Sequence, residues 1–400
     1  MGESAVARKR GVSMRTTAAW REWLGWTGIL MWMYMLINDY SWYSSYASDD
    51  IFWSVLAFEL LFGASIFIVS FFFGRNPNAL GKIAAYTTPV AMLLTAVFSF
   101  LPTPFHSVAY ALSPIFIAPA LARTVYSVIQ SAHPKYAATT YMSGIATAYC
   151  LIYLFFLFED YYIDILLINP PSKILYACYG LLLVPAWLAA RRAVVAETQK
   201  QESAKLGLSK KLVFMIAVTF IVMSWLRQMT DYTNFAVEQF DDILFTPLYR
   251  IMPFFTYVAL GFAADKKRER SVVLGGLMLH LVSILLALLL ANPGSDRNAA
   301  VVPLLFTNRF MSLMIEYFMY SIPVYFFLYV KRPVLAASAG TVAFLFCRAL
   351  SWAIRRILPD MLQDAGAPLF VSAGIATILF LLLLHYILER QKEKTLAAAL

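Results

Sequence analysis

Long apolar runs alternate with short polar segments along almost the whole chain. A run of about 20 apolar residues is long enough to cross the hydrocarbon core of a bilayer as a helix. The runs are continuous rather than alternating, which favours helices over the strands of a barrel. Twelve transmembrane helices are therefore predicted, at residues 23–46, 51–73, 83–101, 107–130, 137–158, 173–190, 210–237, 244–263, 271–291, 300–330, 334–356 and 367–388.

Charged residues are distributed unevenly between the two sides that twelve spans define. The chain carries 32 Lys and Arg against 23 Asp and Glu. Most of the basic residues fall on the side of the N-terminus, and most of the acidic residues fall on the other side. Basic loops remain in the cytoplasm, so both termini are predicted to be cytoplasmic, in the plasma membrane (the inner membrane of a bacterial cell). The net charge of +9 therefore requires no nucleic-acid partner.

The composition excludes a sizeable soluble domain and points away from catalysis. The chain is 61% hydrophobic and 14% charged, whereas a soluble domain is about 25% charged. The three cysteines lie inside apolar runs, and the four histidines have no ligand or triad spacing. No phosphate-binding glycine-rich loop is present. We expect no cofactor, no metal site, no ATP-driven step and no enzymatic activity.

The chain also repeats itself at about half its length. The sequence "DYSWYSSYASDDIF" after the first span matches "DYTNFAVEQFDDIL" after the seventh, and the loops "GRNPNALGK" and "GFAADKKRER" follow the second and eighth spans. Two six-helix halves in the same orientation are predicted. The resulting organisation is a cytoplasmic tail at 1–22, a bundle at 23–190, a linker at 191–211, a bundle at 212–388 and a cytoplasmic tail at 389–400.

The six-plus-six arrangement, the basic central linker and the two loops resemble the major facilitator superfamily of transporters. The loop signature of that family is Gly-x-x-x-Asp-Arg/Lys-x-Gly-Arg/Lys. Asn78 stands where the first copy should have its aspartate, and Arg268 where the second copy should have its later glycine. The matching residues are Gly261, Asp265 and Lys266 in the second half and Gly74, Gly81 and Lys82 in the first.

The resemblance implies that this loop cluster latches the two halves together in one state. A glycine such as Gly261 lets a helix end pack closely. The carboxylate of Asp265 is favoured near the N-terminal end of a neighbouring helix or beside a basic helix end. The remaining basic residues of the loop are interpreted as orientation signals and lipid contacts.

Ionisable residues inside the spans are the first candidates for function, because each costs at least about 2.5–3.5 kcal/mol at a helix centre. In the family, spans 1, 4, 7 and 10 line the central cavity. The resemblance therefore implies a cavity lined by four charged residues, for which structural ion pairing is the alternative; these are Arg123, Arg227, Arg309 and Glu316. Trp32, Tyr34 and Trp225 either line the same site for an organic solute or lie at the bilayer interface, where Trp and Tyr collect. Three arginines against one glutamate favour an anionic solute.

Two aspartates at the predicted outer ends of spans 1 and 7 occupy equivalent repeat positions. Asp39 and Asp231 are hypothesised to bind a proton or a coupling cation. The alternative is an ordinary acidic outer mouth, with Asp231 paired to Arg227 one turn earlier.

A second pair of charges is predicted to join the two halves. Glu59 on span 2 and Arg348 on span 11 lie at about the same depth, and in the family these spans face each other. Each is costly alone in lipid, so an ion pair that closes the outer mouth is predicted. The alternative is that Glu59 faces a polar cavity and Arg348 extends toward the outer interface.

Together these features favour a secondary transporter of a small organic anion that works by rocker-switch alternating access. Its expected partners are the solute, a coupling proton or cation and the lipid bilayer, and a monomer is expected. A sensor with the same fold and no transport activity is the alternative, because both loop copies depart from the signature.

Overall fold

The computed structural model describes residues 2–38, 48–102, 104–132, 136–166, 172–192, 245–266 and 333–357, and everything below refers to these ranges. They contain α-helices and short 3₁₀ turns and no strand. The α-helices are α1 (Gly2–Asn38), α2 (Ser48–Phe73), α3 (Pro77–Val97), α4 (Phe105–Ser131), α5 (Ala137–Leu166), α6 (Ser172–Tyr179), α7 (Val184–Arg192), α8 (Phe245–Asp265) and α9 (Pro333–Ile357).

The helix bounds follow some of the apolar runs closely, but α1 begins about 21 residues before predicted span 1 and α3 about six residues before predicted span 3. Predicted spans 4, 8 and 11 agree with α4, α8 and α9 to within about two residues at each end. Five stretches within the described ranges are long and apolar enough to cross a membrane, namely Phe52–Phe73, Pro77–Phe100, Phe105–Ser131, Ala137–Phe155 and Pro333–Leu350. Predicted spans 7, 9, 10 and 12 lie outside the described residues, so the count of twelve stays a prediction.

Helix α4 lies at the centre of the described helices. It packs against α1, α2 and α3, and most of its residues are buried. Pro114 and Pro119 lie inside it. A proline removes one backbone hydrogen bond, which a membrane helix tolerates where neighbouring helices cover the freed carbonyl.

The sixth predicted span is interrupted at its middle. A 3₁₀ turn at Gly180–Leu183 separates α6 from α7. Pro185 cannot donate a backbone hydrogen bond to the preceding turn, which explains the break. Gly180 packs closely on α3, because a Cβ there would lie 2.8 Å from the carbonyl oxygen of Met92.

Contacts divide the chain into two compact units. The first contains residues 1–207, 250–268 and 317–349, and all contacts discussed below lie within it. The described part of the second unit is limited to the start of α8 and the end of α9. The predicted boundaries of the two six-helix halves therefore stay a prediction.

Candidate functional site

Two pairs of helices join the predicted halves, and the first is α2 with α9. Residues progressively later on α2 meet residues progressively earlier on α9, so the two helices run antiparallel. The facing positions are Glu59 with Arg348, Gly63 with Leu345, Ser70 with Ser338 and Gly74 with Val334. We call this contact the α2/α9 seam. Small residues at three of the four α2 positions allow the backbones to approach closely.

The ion pair of this seam lies inside the protein. Arg348 Nε lies 2.5 Å from Glu59 Oε1, and the side chain of Glu59 is fully buried while that of Arg348 is 18% exposed. Arg348 Nη2 also donates to the carbonyl oxygen of Ile37, in the last turn of α1, over 3.4 Å. A cation is favoured at a helix C-terminus. One arginine on α9 therefore binds both α1 and α2.

The second pair, which we call the α5/α8 seam, is fixed by a carboxylate at the start of a helix. Asp265, the last residue of α8, accepts hydrogen bonds from the backbone N–H of Ala138 at 3.0 Å and of Thr139 at 2.8 Å. The Thr139 hydroxyl also donates to the same carboxylate. These two N–H groups belong to the first turn of α5. The N–H groups of a first helical turn have no carbonyl acceptor within their own helix. Asp265 therefore caps α5 from another helix.

Gly261 permits this cap. A Cβ at Gly261 would lie 2.9 Å from the Cα of Thr139 and 3.2 Å from the Cβ of Met142. Since the nearest atom belongs to the backbone of α5, a larger residue would push α8 away and withdraw Asp265. Lys266, next in the chain, is exposed.

The first copy of the loop signature has different contacts. Gly74 directly follows α2, and a Cβ there would collide with the carbonyl oxygen of Ser70 and touch Val334 at 3.4 Å. Asn78 and Lys82 are exposed. Gly81 instead faces the protein interior, since a Cβ there would lie 3.2 Å from Arg123 Nε.

Arg123 is held by a partner that the sequence analysis missed. Its Nη1 and Nη2 donate to the two carboxylate oxygens of Glu22 at 3.0 and 2.8 Å, and Arg123 is completely buried. Glu22 was assigned to a cytoplasmic tail, yet it lies in α1 and is only 6% exposed. A signal was present, because an arginine inside a span requires an acid and Glu22 adjoins the first apolar run.

The two described aromatic candidates have different surroundings. Trp32 lies between α1 and its neighbours, where its Nε1 donates to Thr95 Oγ1 at 3.0 Å and its ring lies 5.8 Å from that of Phe58. Tyr34 instead contacts rings of α5 and α9. Its partners Tyr149 and Phe344, and Tyr257 beyond them, were not singled out by the sequence.

The other candidates lie outside the described residues; they are Asp39, Trp225, Arg227, Asp231, Arg309 and Glu316. Within the described ranges, no group of three or more His, Cys, Asp or Glu side chains could hold a metal ion. The described geometry therefore consists of two seams, the Arg123–Glu22 pair and the rings around Tyr34.

The sequence matches no protein-family model and no curated protein. Solved structures do resemble it. A crystal structure of a bacterial homologue of the iron transporter ferroportin, in an outward-facing state with soaked iron, gives a TM-score of 0.61 at 12% identity, over 93% of this chain and 99% of that one. A second crystal structure of such a homologue, also outward-facing, gives 0.58 at 12% identity over the same shares. The predicted fold class is confirmed: the described residues are helical and contain no strand, and the chain is a membrane protein with the major facilitator fold, while the count of twelve helices stays a prediction.

Proposed function

We propose that the protein is a secondary transporter that carries a small solute across the membrane by alternating access. The observation that supports this best is the pair of seams between the predicted halves. Each seam joins one helix from each half and contains a charged contact, which lies at the end of α8 in one seam and just to the predicted outer side of the helix centres in the other. Such contacts can form and break as two rigid halves rock against each other.

Asp265 acts as the latch at the predicted cytoplasmic end. Its carboxylate satisfies two amides and a hydroxyl of α5. Opening this end separates α5 from α8 and exposes those donors, so the cap stabilises the form that is closed to the cytoplasm. Substitution of this residue tests the proposal directly.

The Glu59–Arg348 pair acts as the latch on the predicted outer side. Both charges are costly in a dry interface when separated, but not once water enters the opened mouth. The pair therefore stabilises the form closed to the outside.

The sequence favours an anionic organic solute, and the geometry reduces the number of arginines that could bind it. Arg123 has its charge matched by Glu22, so it offers no free cation to a solute. An anion would then be bound by Arg227 and Arg309, with Glu316 nearby on the predicted tenth span. This form of the proposal rests on those residues.

A divalent metal cation is the second candidate solute. The observation that favours it is the resemblance to bacterial homologues of an iron transporter. Asp39 and Asp231 supply two carboxylates at equivalent repeat positions, and carboxylate oxygens bind divalent cations. In this version the two aspartates bind the solute itself rather than a coupling ion.

Transport and solute class can be tested together on the purified full chain. A thermal-shift panel of small organic anions and first-row divalent metals identifies ligands, and proteoliposome uptake of each stabilising ligand follows. Loss of stabilisation in Arg227→Gln and Arg309→Gln supports the anion, whereas loss in Asp39→Asn and Asp231→Asn supports the metal. Ligands that stabilise the protein without any uptake would favour the sensor alternative.

A further inference from the structure

Four aromatic rings from four helices form a row inside the first unit. Tyr34 of α1 contacts Phe344 of α9 with ring centroids 6.5 Å apart, and Tyr149 of α5 with centroids 4.7 Å apart. Tyr149 in turn stacks on Tyr257 of α8 at 5.7 Å. Tyr34, Tyr257 and Phe344 are at most 2% exposed. We call these four residues the aromatic row.

Three of the four rings lie near the middle of their helices. Phe344 and Tyr257 are within about two residues of the centres of α9 and α8, and Tyr149 is within about three of the centre of the apolar part of α5. At about 1.5 Å of rise per residue, these three rings lie within about 5 Å of the middle of their helical segments. Tyr34 lies four residues before the end of α1, at the centre of the first predicted span.

The row crosses the boundary between the predicted halves twice. Tyr34 and Tyr149 belong to the first half, and Phe344 and Tyr257 belong to the second. The centroid distances of 4.7 to 6.5 Å are ordinary aromatic contacts, which leave no space for a solute between the rings. Anything that crosses the membrane between the halves at this point must first separate them.

We propose that the aromatic row is the central barrier of the transport path. The packed rings seal the middle of the membrane, and rocking of the halves separates Tyr34 from Phe344 and Tyr149 from Tyr257 so that the solute passes. Tyr34 and Tyr149 then contact the solute and limit its size. This inference rests on the proposed transport function, and its test does not require a known solute.

The barrier can be measured with single cysteines one helical turn on either side of Tyr149. Cys150, Cys178 and Cys347 are first replaced by alanine, and Ile145→Cys and Tyr153→Cys are made separately in the full chain. Sealed proteoliposomes are treated with a membrane-impermeant thiol reagent, from outside or preloaded inside. Lys266→Cys, at an exposed position, reports which face of the protein is outward.

With the row intact, each cysteine is expected to react from one side only, and from opposite sides. Tyr34→Ala should raise the rate at which each cysteine reacts with reagent on its previously protected side by about tenfold. This corresponds to a barrier lowered by about 1.4 kcal/mol. Tyr149→Ala is the second variant in case the first does not fold, since Tyr149 is only partly buried. Tyr34→Phe keeps the ring and should keep the barrier. Tyr110→Ala truncates a fully buried tyrosine outside the row and is the matched control.

Three results would overturn the proposal. One-sided reaction that persists in both alanine variants would show that the rings do not form the barrier. Reaction of both cysteines from both sides with the row intact would show that no barrier exists there. No reaction from either side would place the row in a dry interface. One-sided reaction that the alanine variants abolish, without uptake of any solute, would support the barrier and reject the transport function.

Discussion

Arg348 on α9 places its Nε 2.5 Å from the fully buried carboxylate of Glu59 on α2, although the two residues are 289 positions apart. The same guanidinium reaches the carbonyl oxygen of Ile37 at the end of α1. One side chain therefore joins a helix of the second predicted half to two helices of the first. Its removal should loosen all three.

We first expect loss of either partner of this pair to destabilise the protein. Removing one member of a buried ion pair typically costs about 3–5 kcal/mol, because the other charge stays buried. Glu59→Gln should be more damaging than Arg348→Gln, since a glutamate can bind a proton whereas an arginine cannot lose one. Thermal unfolding in detergent measures both. Glu59→Leu combined with Arg348→Met should be less destabilising than either single change.

Arg75→Gln is the control for this series, because Arg75 is an exposed arginine just beyond the end of α2. It should leave the unfolding temperature within error of the unsubstituted protein. Strictly additive effects of the two single changes would contradict the ion-pair interpretation.

Second, Asp265→Asn should favour the form open at the predicted cytoplasmic end. Losing a charged helix cap costs about 1–2 kcal/mol, and here that cost falls only on the form in which α5 and α8 touch. Labelling of a cysteine at Met142, which lies against Gly261, should rise about 5- to 30-fold if the whole cost appears in this equilibrium. Lys266→Gln removes the adjacent exposed charge and should change nothing. Equal labelling of the cysteine at Met142 in the two variants would show that Asp265 does not act as the latch.

Third, Gly261→Ala should reproduce the effect of Asp265→Asn without altering any charge. The new methyl group would lie 2.9 Å from the Cα of Thr139, so α8 must move away from α5. Overpacking of this kind costs about 1–3 kcal/mol. Gly63→Ala is the matched control, because its new methyl would meet the side chain of Phe346 at 3.3 Å rather than a backbone. Similar labelling of Met142→Cys in both backgrounds would argue against a tight α5/α8 seam.

Fourth, Arg123→Lys should destabilise the protein even without any solute. Lysine cannot form the two parallel hydrogen bonds that Arg123 makes to Glu22. Arg21→Lys, one residue before Glu22 in α1, is the control for an arginine-to-lysine change beside the pair. If Arg123→Lys left the unfolding temperature unchanged but weakened solute binding, Arg123 would belong to the cavity after all.

The helices were predictable because lipid imposes a simple rule on the chain. Every backbone group must be paired within the segment, so a long apolar run such as 107–130 can only be a helix. The contact between Glu59 and Arg348 was also accessible, since a charge at a given depth must find a partner at that depth. Its role in closing the outer mouth stays a prediction.

The Arg123–Glu22 pair and the aromatic row were not accessible in the same way. Recognising Glu22 required knowing that α1 begins well before the apolar run and which face α4 turns toward it. The aromatic row could not be picked out because the chain has 23 tyrosines and 31 phenylalanines. Nothing in the sequence distinguishes Tyr34, Tyr149, Tyr257 and Phe344 as a group from the others. Only the packing of four helices shows which of those rings meet.

The two seams are unequal where they approach the predicted cytoplasmic face. On one, Asp265 holds α5 by three hydrogen bonds. On the other, Asn78 replaces the corresponding acid, and the described contacts near this face include the hydroxyls of Ser70 and Ser338 and the approach of Gly74 to Val334. A gate built in this way is asymmetric in its electrostatics, because a carboxylate holds one seam while these contacts of the other seam are between neutral groups.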